Sequence, residues 1–144
     1  MTDGSIIWKK PISLEWLKSF SEGSMVSHLG IEFLEIGPDF LVARLPVDSR
    51  THQPIGLLHG GASVALAETV ASTAAYCSVE EGYIAVGIEI NANHLRKIVT
   101  GWVTATATPV HLGKTTQVWE TKIRDDENHL ICISRMTLSI LNQR

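Results

Sequence analysis

The stretch from Gly61 to Val79, Gly-Ala-Ser-Val-Ala-Leu-Ala-Glu-Thr-Val-Ala-Ser-Thr-Ala-Ala-Tyr-Cys-Ser-Val, carries one charged residue, Glu68, among apolar and small hydroxyl side chains. No face of a helix with this sequence suits bulk water, so the pattern predicts a long helix buried on every side. A carboxylate inside such a helix must be hydrogen-bonded, paired or put to chemical use, because burial disfavours its charged form. Glu68 is therefore the residue that fold and function both have to accommodate. Just upstream, Asp48 to Leu58 reads as a polar loop that delivers the chain into the helix through His59-Gly60-Gly61.

The other elements follow from periodicity. Leu14, Leu17 and Lys18 stand at helical spacing behind Ser13, a cap residue with Trp16 three positions on, which predicts a short amphipathic helix over Ser13 to Phe20. Ser21-Glu22-Gly23-Ser24 breaks it, and Met25 to Gly30 reads as one further turn. Ile31 to Ile36 and Phe40 to Val47, joined by Gly-Pro-Asp, predict a β-hairpin, with Pro46 suited to a strand terminus or an edge. After Glu80-Glu81-Gly82, four runs rich in Val, Ile and Thr span Tyr83 to Leu95, Thr100 to Val110, Thr115 to Arg124 and Leu130 to Leu141. They predict four consecutive strands in a meander. Val103, Ala105 and Ala107 alternate with Trp102, Thr104, Thr106 and Thr108, giving one apolar face that needs a cover. The only segment apolar enough to cover it is the Gly61 to Val79 helix. The expected fold is α+β, a curved antiparallel sheet wrapped around one central helix.

Composition narrows the function. The 144 residues suit one domain, 1–144, and a net charge of −3 leaves no basic footprint for nucleic acid. Cys77 and Cys132 form no CxxC, which disfavours a disulfide framework or a zinc ribbon and makes a reducing cytoplasm the default. The histidines lack a third ligand at metal spacing, so no metal is expected, and no cofactor is called for. His28, His52 and His129 read as loop or surface residues. The N-terminal stretch from Met1 to Phe20 lacks the long apolar core of a secretory signal, and Glu68 interrupts the best candidate for a membrane span.

The run Thr51-His-Gln-Pro-Ile-Gly-Leu-Leu-His-Gly-Gly-Ala-Ser-Val-Ala-Leu-Ala-Glu68, followed by Asn91-Ala-Asn-His94 and Pro109-Val-His-Leu-Gly-Lys114, resembles the signature of the hotdog-fold acyl-CoA thioesterases. The branch is that of the 4-hydroxybenzoyl-CoA, phenylacetate-pathway and 1,4-dihydroxy-2-naphthoyl-CoA enzymes, and the likeness extends from Trp8 to about Leu141. A lone HGG says little, whereas HQPxGxLHGGxxxxLAE with both later motifs in order is specific. The resemblance implies a long helix inside the sheet, a dimer joining two sheets edge to edge and often a dimer of dimers. It also implies hydrolysis of acyl-CoA or acyl-carrier-protein thioesters, with aromatic acyl groups as the first expectation.

Chemistry and resemblance meet at the helix start. Thioester hydrolysis needs donors that polarise the carbonyl and a carboxylate that attacks it or activates water. Gly60 opens the helix, so its N–H has no intrahelical partner and lies at the positive end of the dipole, a natural oxyanion donor. By the resemblance, Gln53 donates to the same carbonyl, His59 orients the site, and Glu68 is nucleophile or general base, supplied by the other subunit. Eight residues of helix separate Gly60 from Glu68, about 12 Å. That is too far for one carbonyl, which agrees with a site shared by two chains. Ser72, at i+4 from Glu68, is placed to fix the carboxylate or a water, and Thr73 is adjacent. Small packing residues are the plain alternative for both.

For the substrate's coenzyme portion the resemblance points to Gly87, to His94, Leu95, Arg96 and Lys97, and to His111, Leu112, Gly113, Lys114, Thr115 and Thr116. Arg96, Lys97 and Lys114 are the local cations for phosphates, against the alternative of ordinary solvated charges. Lys97 stands where the family commonly has proline. Tyr76, Val70, Thr73 and the segment 20–30 are candidates to line the acyl pocket. Two other classes stay open: a hotdog-fold hydratase or dehydratase, and a non-catalytic acyl-CoA binder. Thiol release from benzoyl-CoA separates both from a thioesterase.

Overall fold

A computed structural model describes residues 5–143; residues 1–4, the start of the stretch read above as no secretory signal, lie outside the described residues. The elements are α1 (Leu14–Ser21), α2 (Met25–His28), β1 (Glu32–Ile36), β2 (Leu41–Val47), α3 (Gly60–Cys77), β3 (Tyr83–His94), β4 (Gly101–Leu112), β5 (Thr116–Arg124) and β6 (Leu130–Asn142). Both short helices start as their sequences direct: Ser13 Oγ accepts from Trp16 N and Ser24 Oγ from Val26 N, satisfying N–H groups that have no partner inside the helix.

The strands form one antiparallel sheet in the order β1-β2-β4-β5-β6-β3. This corrects the four-strand meander, because β3 is not a neighbour of β4 but pairs with β6 from Tyr83↔Asn142 to His94↔Cys132. A strand has two edges, and both edges of β4 are occupied: β2 takes one from Leu41↔Ala107 to Val47↔Gly101, and the β4–β5 hairpin takes the other. The edge of β6 is what remains for β3. Pro46 is not on an edge strand, since β2 is flanked by β1 and β4. It stands past the last β1 partner, Arg44, so its missing N–H costs no ladder bond on that side.

The apolar sheet face closes on α3 as the alternation requires. Leu41, Ala43, Leu45, Val103, Ala105, Ala107, Trp119 and Leu138 meet Leu66, Ala67, Val70, Ala71 and Ala74, all without exposed surface. The alanines let the helix lie close to the sheet, and Trp119 is buried with them in the same core. Its indole N–H donates to Gln117 Oε1 at 2.8 Å, Gln117 Nε2 donates to Ser78 Oγ at 3.1 Å, and Ser78 Oγ donates to Ala75 O at 2.9 Å. The buried polar chain ties the C-terminal end of α3 to β5.

Lys10 secures the same end from the other side. Lys9 N and Lys10 N donate to Cys77 O, while Lys10 Nζ donates to Tyr76 O at 2.9 Å and Tyr83 O at 2.7 Å. A cation on the last carbonyls of a helix is stabilising, and here it also joins α3 to the first residue of β3.

One expectation about α3 is overturned. The helix is not buried all round, because the sheet covers only one side; Gly61 and Glu68 are exposed and Val64, Ala65, Thr69, Ser72, Thr73 and Tyr76 are half-buried. The sequence lacks a polar stripe, yet the chain has only one sheet with which to cover the helix. The apolar stripe left over faces outward.

Both cysteines are buried thiols. Burial pushes the Cys77 thiol up from its ordinary 9.0 to about 11, against the opposing pull of Lys10, and burial also raises Cys132. The native chain is therefore expected to resist a disulfide-exchange reagent at pH 8 and to react at both thiols once denatured, read by absorbance of the released thiolate. The sign of the linkage follows: an unfolded thiol ionises before the folded one. The Cys77 contribution to stability is complete below about pH 9 and is lost as pH rises through 11.

Candidate active site

The loop before α3 is held rigidly. Thr51 Oγ1 donates to Pro46 O at 2.7 Å, Thr51 N and His52 N donate to Asp48 O, and His59 N donates to Thr51 O at 2.8 Å. Gly56, at φ +85, supplies the left-handed turn that brings Leu57 O within 2.7 Å of Gln53 N. The loop is also strapped to the segment after β3: Leu58 N donates to Ile98 O, and His52 Nε2 lies 2.8 Å from Val99 O. His52 thus joins two loops, a role no sequence signal announced.

Gln53 is oriented by its own loop. Its Oε1 accepts from Ile55 N at 2.6 Å and from Leu57 N at 3.3 Å. With the oxygen committed to two backbone donors, the Nε2 group, which can only donate, is the end left for a ligand. His59 is the N-cap of α3, its Nδ1 accepting from Gly61 N at 2.7 Å. The geometry makes His59 the cap of the helix, and with Nδ1 accepting, the proton of the neutral ring is on Nε2. Ala62 N and Ser63 N turn back to His59 O, whereas Gly60 N has no partner among the described residues. His94, the last residue of β3, packs its ring on Gly60, with Nε2 3.0 Å from where a Cβ would stand. A side chain at position 60 would displace that ring.

These residues line a recess of roughly 460 Å³ at the N-terminal end of α3, where Gln53, Gly60 and Ser63 meet His94, Leu95, Arg96 and Lys97. Sequence reasoning brought all of them forward except Ser63, which reads as one more small helix residue.

Glu68, Ser72 and Thr73 lie elsewhere, in a second groove of roughly 480 Å³ on the outward stripe of α3 from Gly61 to Thr73, opposite Met25, Val26 and Leu29 of the α2 region. The expectation of a buried Glu68 is corrected: its side chain is exposed in the single chain. Val70 does not line this groove, because it is fully buried against the sheet. Gly87 is placed beside Glu68 on β3. A Cβ there would stand 2.5 Å from Met136 Cε and 3.3 Å from Glu68 Oε2, so the missing side chain makes room chiefly for the Met136 methyl, with the carboxylate beside it. The segment 20–30 does contribute, through Met25, Val26 and Leu29.

The third group, His111 to Thr116, forms the β4–β5 turn, closed by Gly113 N to Thr116 O at 2.9 Å and tied to β6 by Ile140 N to Thr115 O. Leu112, Gly113, Lys114 and Thr115 line a cleft of roughly 890 Å³ against Ile6, Trp8 and Val79, at the C-terminal end of α3. The helix has 18 residues, about 27 Å, so the two sets of coenzyme-contact candidates stand at its opposite ends. One chain does not bring them together. Among the described residues no cluster of His, Cys, Asp or Glu is disposed to hold a metal, and no helix is long and apolar enough to cross a membrane.

One long helix packed against a single six-stranded antiparallel sheet is the architecture of the hotdog-fold thioesterases. The chain belongs to the thioesterase superfamily, whose family model matches residues 55–132. It is similar to the 1,4-dihydroxy-2-naphthoyl-CoA hydrolase of Escherichia coli K12, 52% identical over 94% of this chain and 100% of that protein. It is likewise similar to the proofreading thioesterase EntH of Cronobacter turicensis, 47% identical over 94% of this chain and 99% of that one. The crystal structure of a thioesterase from Haemophilus influenzae superposes with a TM-score of 0.94 at 54% identity, covering 95% of this chain and 96% of that one.

Proposed function

We propose that the chain hydrolyses aromatic acyl-CoA thioesters in the cytoplasm, at sites shared between two copies of itself. The observation that carries this reading is the separation of the two halves of the chemistry: Gln53 and Gly60 open into one recess and Glu68 into another. Neither recess alone holds both a carbonyl-polarising pair and a carboxylate.

An antiparallel dimer supports completion of both. β3 is an edge strand whose outer side has no partner among the described residues, and it exposes Val86 and Ile88, a surface that favours pairing with another strand. Pairing two β3 strands about their midpoint brings the His94 end of one chain to the Tyr83 end of the other. Each α3 N-terminus then approaches its partner's C-terminal end, and the Gly60 recess of one chain faces the Glu68 groove of the other. The same operation brings His94 to Lys97 of one subunit toward His111 to Thr116 of its partner, with Arg96, Lys97 and Lys114 as the cations for coenzyme phosphates. Two such dimers form the tetramer that the resemblance implies.

In the completed site Gly60 N–H and Gln53 Nε2 hold the carbonyl oxygen as negative charge develops on it. Glu68 either removes a proton from the attacking water or attacks the carbonyl carbon itself, after which water opens the acyl anhydride. In both routes the carbon–sulfur bond breaks and coenzyme A leaves as thiolate. Ser72 fixes the carboxylate or the water, and His59 keeps the first turn of α3 in place. Acyl groups on carrier protein meet the same catalytic residues.

The test is complementation. Glu68→Ala and Gln53→Ala proteins are each expected to be inactive toward benzoyl-CoA. Unfolded together and refolded, they are expected to recover a fraction of native thiol release, since a mixed dimer assembles one intact site. Mixed dimers that form and stay inactive place each site within one chain.

A further inference from the structure

Ser63 stands three residues beyond Gly60 and four beyond His59, so its side chain lies on the face of α3 that carries both. Its backbone N–H is spent on His59 O at 3.2 Å. Only 3% of the residue is exposed, and it lines the recess at the start of α3 together with Gln53, Gly60 and His94.

The hydroxyl sets this serine apart. In a helix a serine can donate back to the carbonyl four residues earlier, as Ser21 Oγ does to Leu17 O at 2.7 Å. Thr51 and Ser78, buried like Ser63, donate to Pro46 O and Ala75 O. Ser63 Oγ has no hydrogen-bond partner among the described residues, yet among them no side-chain nitrogen or oxygen is both sealed from solvent and unpaired. The oxygen therefore keeps its small remaining surface open to the recess that Ser63 lines. Withdrawing a hydroxyl from bulk water without a partner destabilises a fold, and alanine is the better helix former. Packing alone gives no reason for an oxygen here, whereas a polar group entering the recess does.

We infer that Ser63 touches the substrate, its hydroxyl donating to the same thioester oxygen that Gly60 N–H and Gln53 Nε2 hold. The inference rests on the reading of this recess as the place where the carbonyl is polarised. Side chains lean toward the N-terminus of their helix, which turns Ser63 Oγ back toward the turn that presents Gly60 N–H. Three residues of rise are about 4.5 Å, a span that two hydrogen bonds of about 2.9 Å to one shared oxygen bridge. The donor strengthens as negative charge develops on that oxygen, so its effect falls on turnover more than on binding. It acts on the thioester and not on the acyl chain, so it serves every acyl group alike.

The experiment measures kcat and KM for benzoyl-, butanoyl- and octanoyl-CoA in the native protein, Ser63→Ala, Ser63→Cys and Gln53→Ala, each with a thermal melt. Ser63→Ala is expected to lower kcat about tenfold to a hundredfold on every substrate, the scale of one hydrogen bond to a charged group, with KM little changed. Its melting temperature is expected at or above native, because no hydrogen bond of the fold is lost. Ser63→Cys keeps the side-chain volume but donates weakly, so it is expected to stay well below native turnover. Native kcat in Ser63→Ala, full restoration by cysteine, a loss confined to one acyl group, or a marked thermal loss in Ser63→Ala overturns the inference. If Gln53→Ala is inactive in the same assay, the reading of the recess stands without it. A Gln53→Ala protein with native kcat overturns both.

Discussion

Glu68→Gln is expected to lower kcat by about 10² to 10⁴, the range for loss of a carboxylate that acts as base or nucleophile. Glutamine keeps the volume and the hydrogen-bonding reach of the side chain and removes only the charge. Because Glu68 is exposed in the single chain and glutamine keeps its shape, the melting temperature is expected to stay within about 2 °C of native. Acyl-CoA binding is expected to persist or tighten, because the anion no longer faces the thioester oxygen. The measurement is steady-state thiol release together with a thermal melt. A kcat close to native sinks the catalytic assignment whatever the melt does, and a large thermal loss assigns Glu68 to structure instead.

Trp119→Ala is expected to produce the largest loss of stability among single changes in the core. The indole has no exposed surface and is the largest fully buried side chain. Its removal costs about 3–5 kcal/mol through lost burial and the cavity left between sheet and helix. It also strips Gln117 Oε1 of its 2.8 Å donor inside the core. A drop in melting temperature of about 10 °C or more is expected. Trp119→Phe fills most of the volume but still removes the indole donor to Gln117 Oε1, so an intermediate loss is the expected result. A melt within a few degrees of native for the alanine variant would mean that the helix and sheet close up over the gap.

The boundary between what was legible and what was not follows the range of the interactions. Ser13 announced the start of α1, because a cap and its N–H lie within three residues of each other. Gly60 was recognisable as a donor for the same reason: a helix start leaves its first N–H groups unpaired wherever the helix sits. The alternation in β4 told which face is apolar, and the helix behind it was the only segment able to cover that face. Neighbour relations in the sheet were not legible, since β3, β4, β5 and β6 share one pattern and nothing in a strand's own residues says which edge it will find.

The same contrast divides the site. The motif HQPxGxLHGGxxxxLAE brought Gln53, His59, Gly60 and Glu68 forward, and helix rise alone put Gly60 and Glu68 about 12 Å apart. The claim that Glu68 is buried failed because it took an apolar helix for a covered one. Covering depends on how much sheet the chain has, and one curved sheet covers one side. Likewise Gly87, recognised by resemblance as a coenzyme contact, proves to leave room for the Met136 methyl beside the Glu68 carboxylate, a relation of β3 to β6 and α3 with no trace in any one segment. The sequence by itself determined most of the elements, the cap of α1 and the apolar face of the sheet, because those depend on neighbours within a few positions. Only the tertiary structure decided that β3 takes the far edge beside β6 and that His52 joins two loops. Each of those depends on groups far apart in the chain meeting in space, and only packing sets which of them meet.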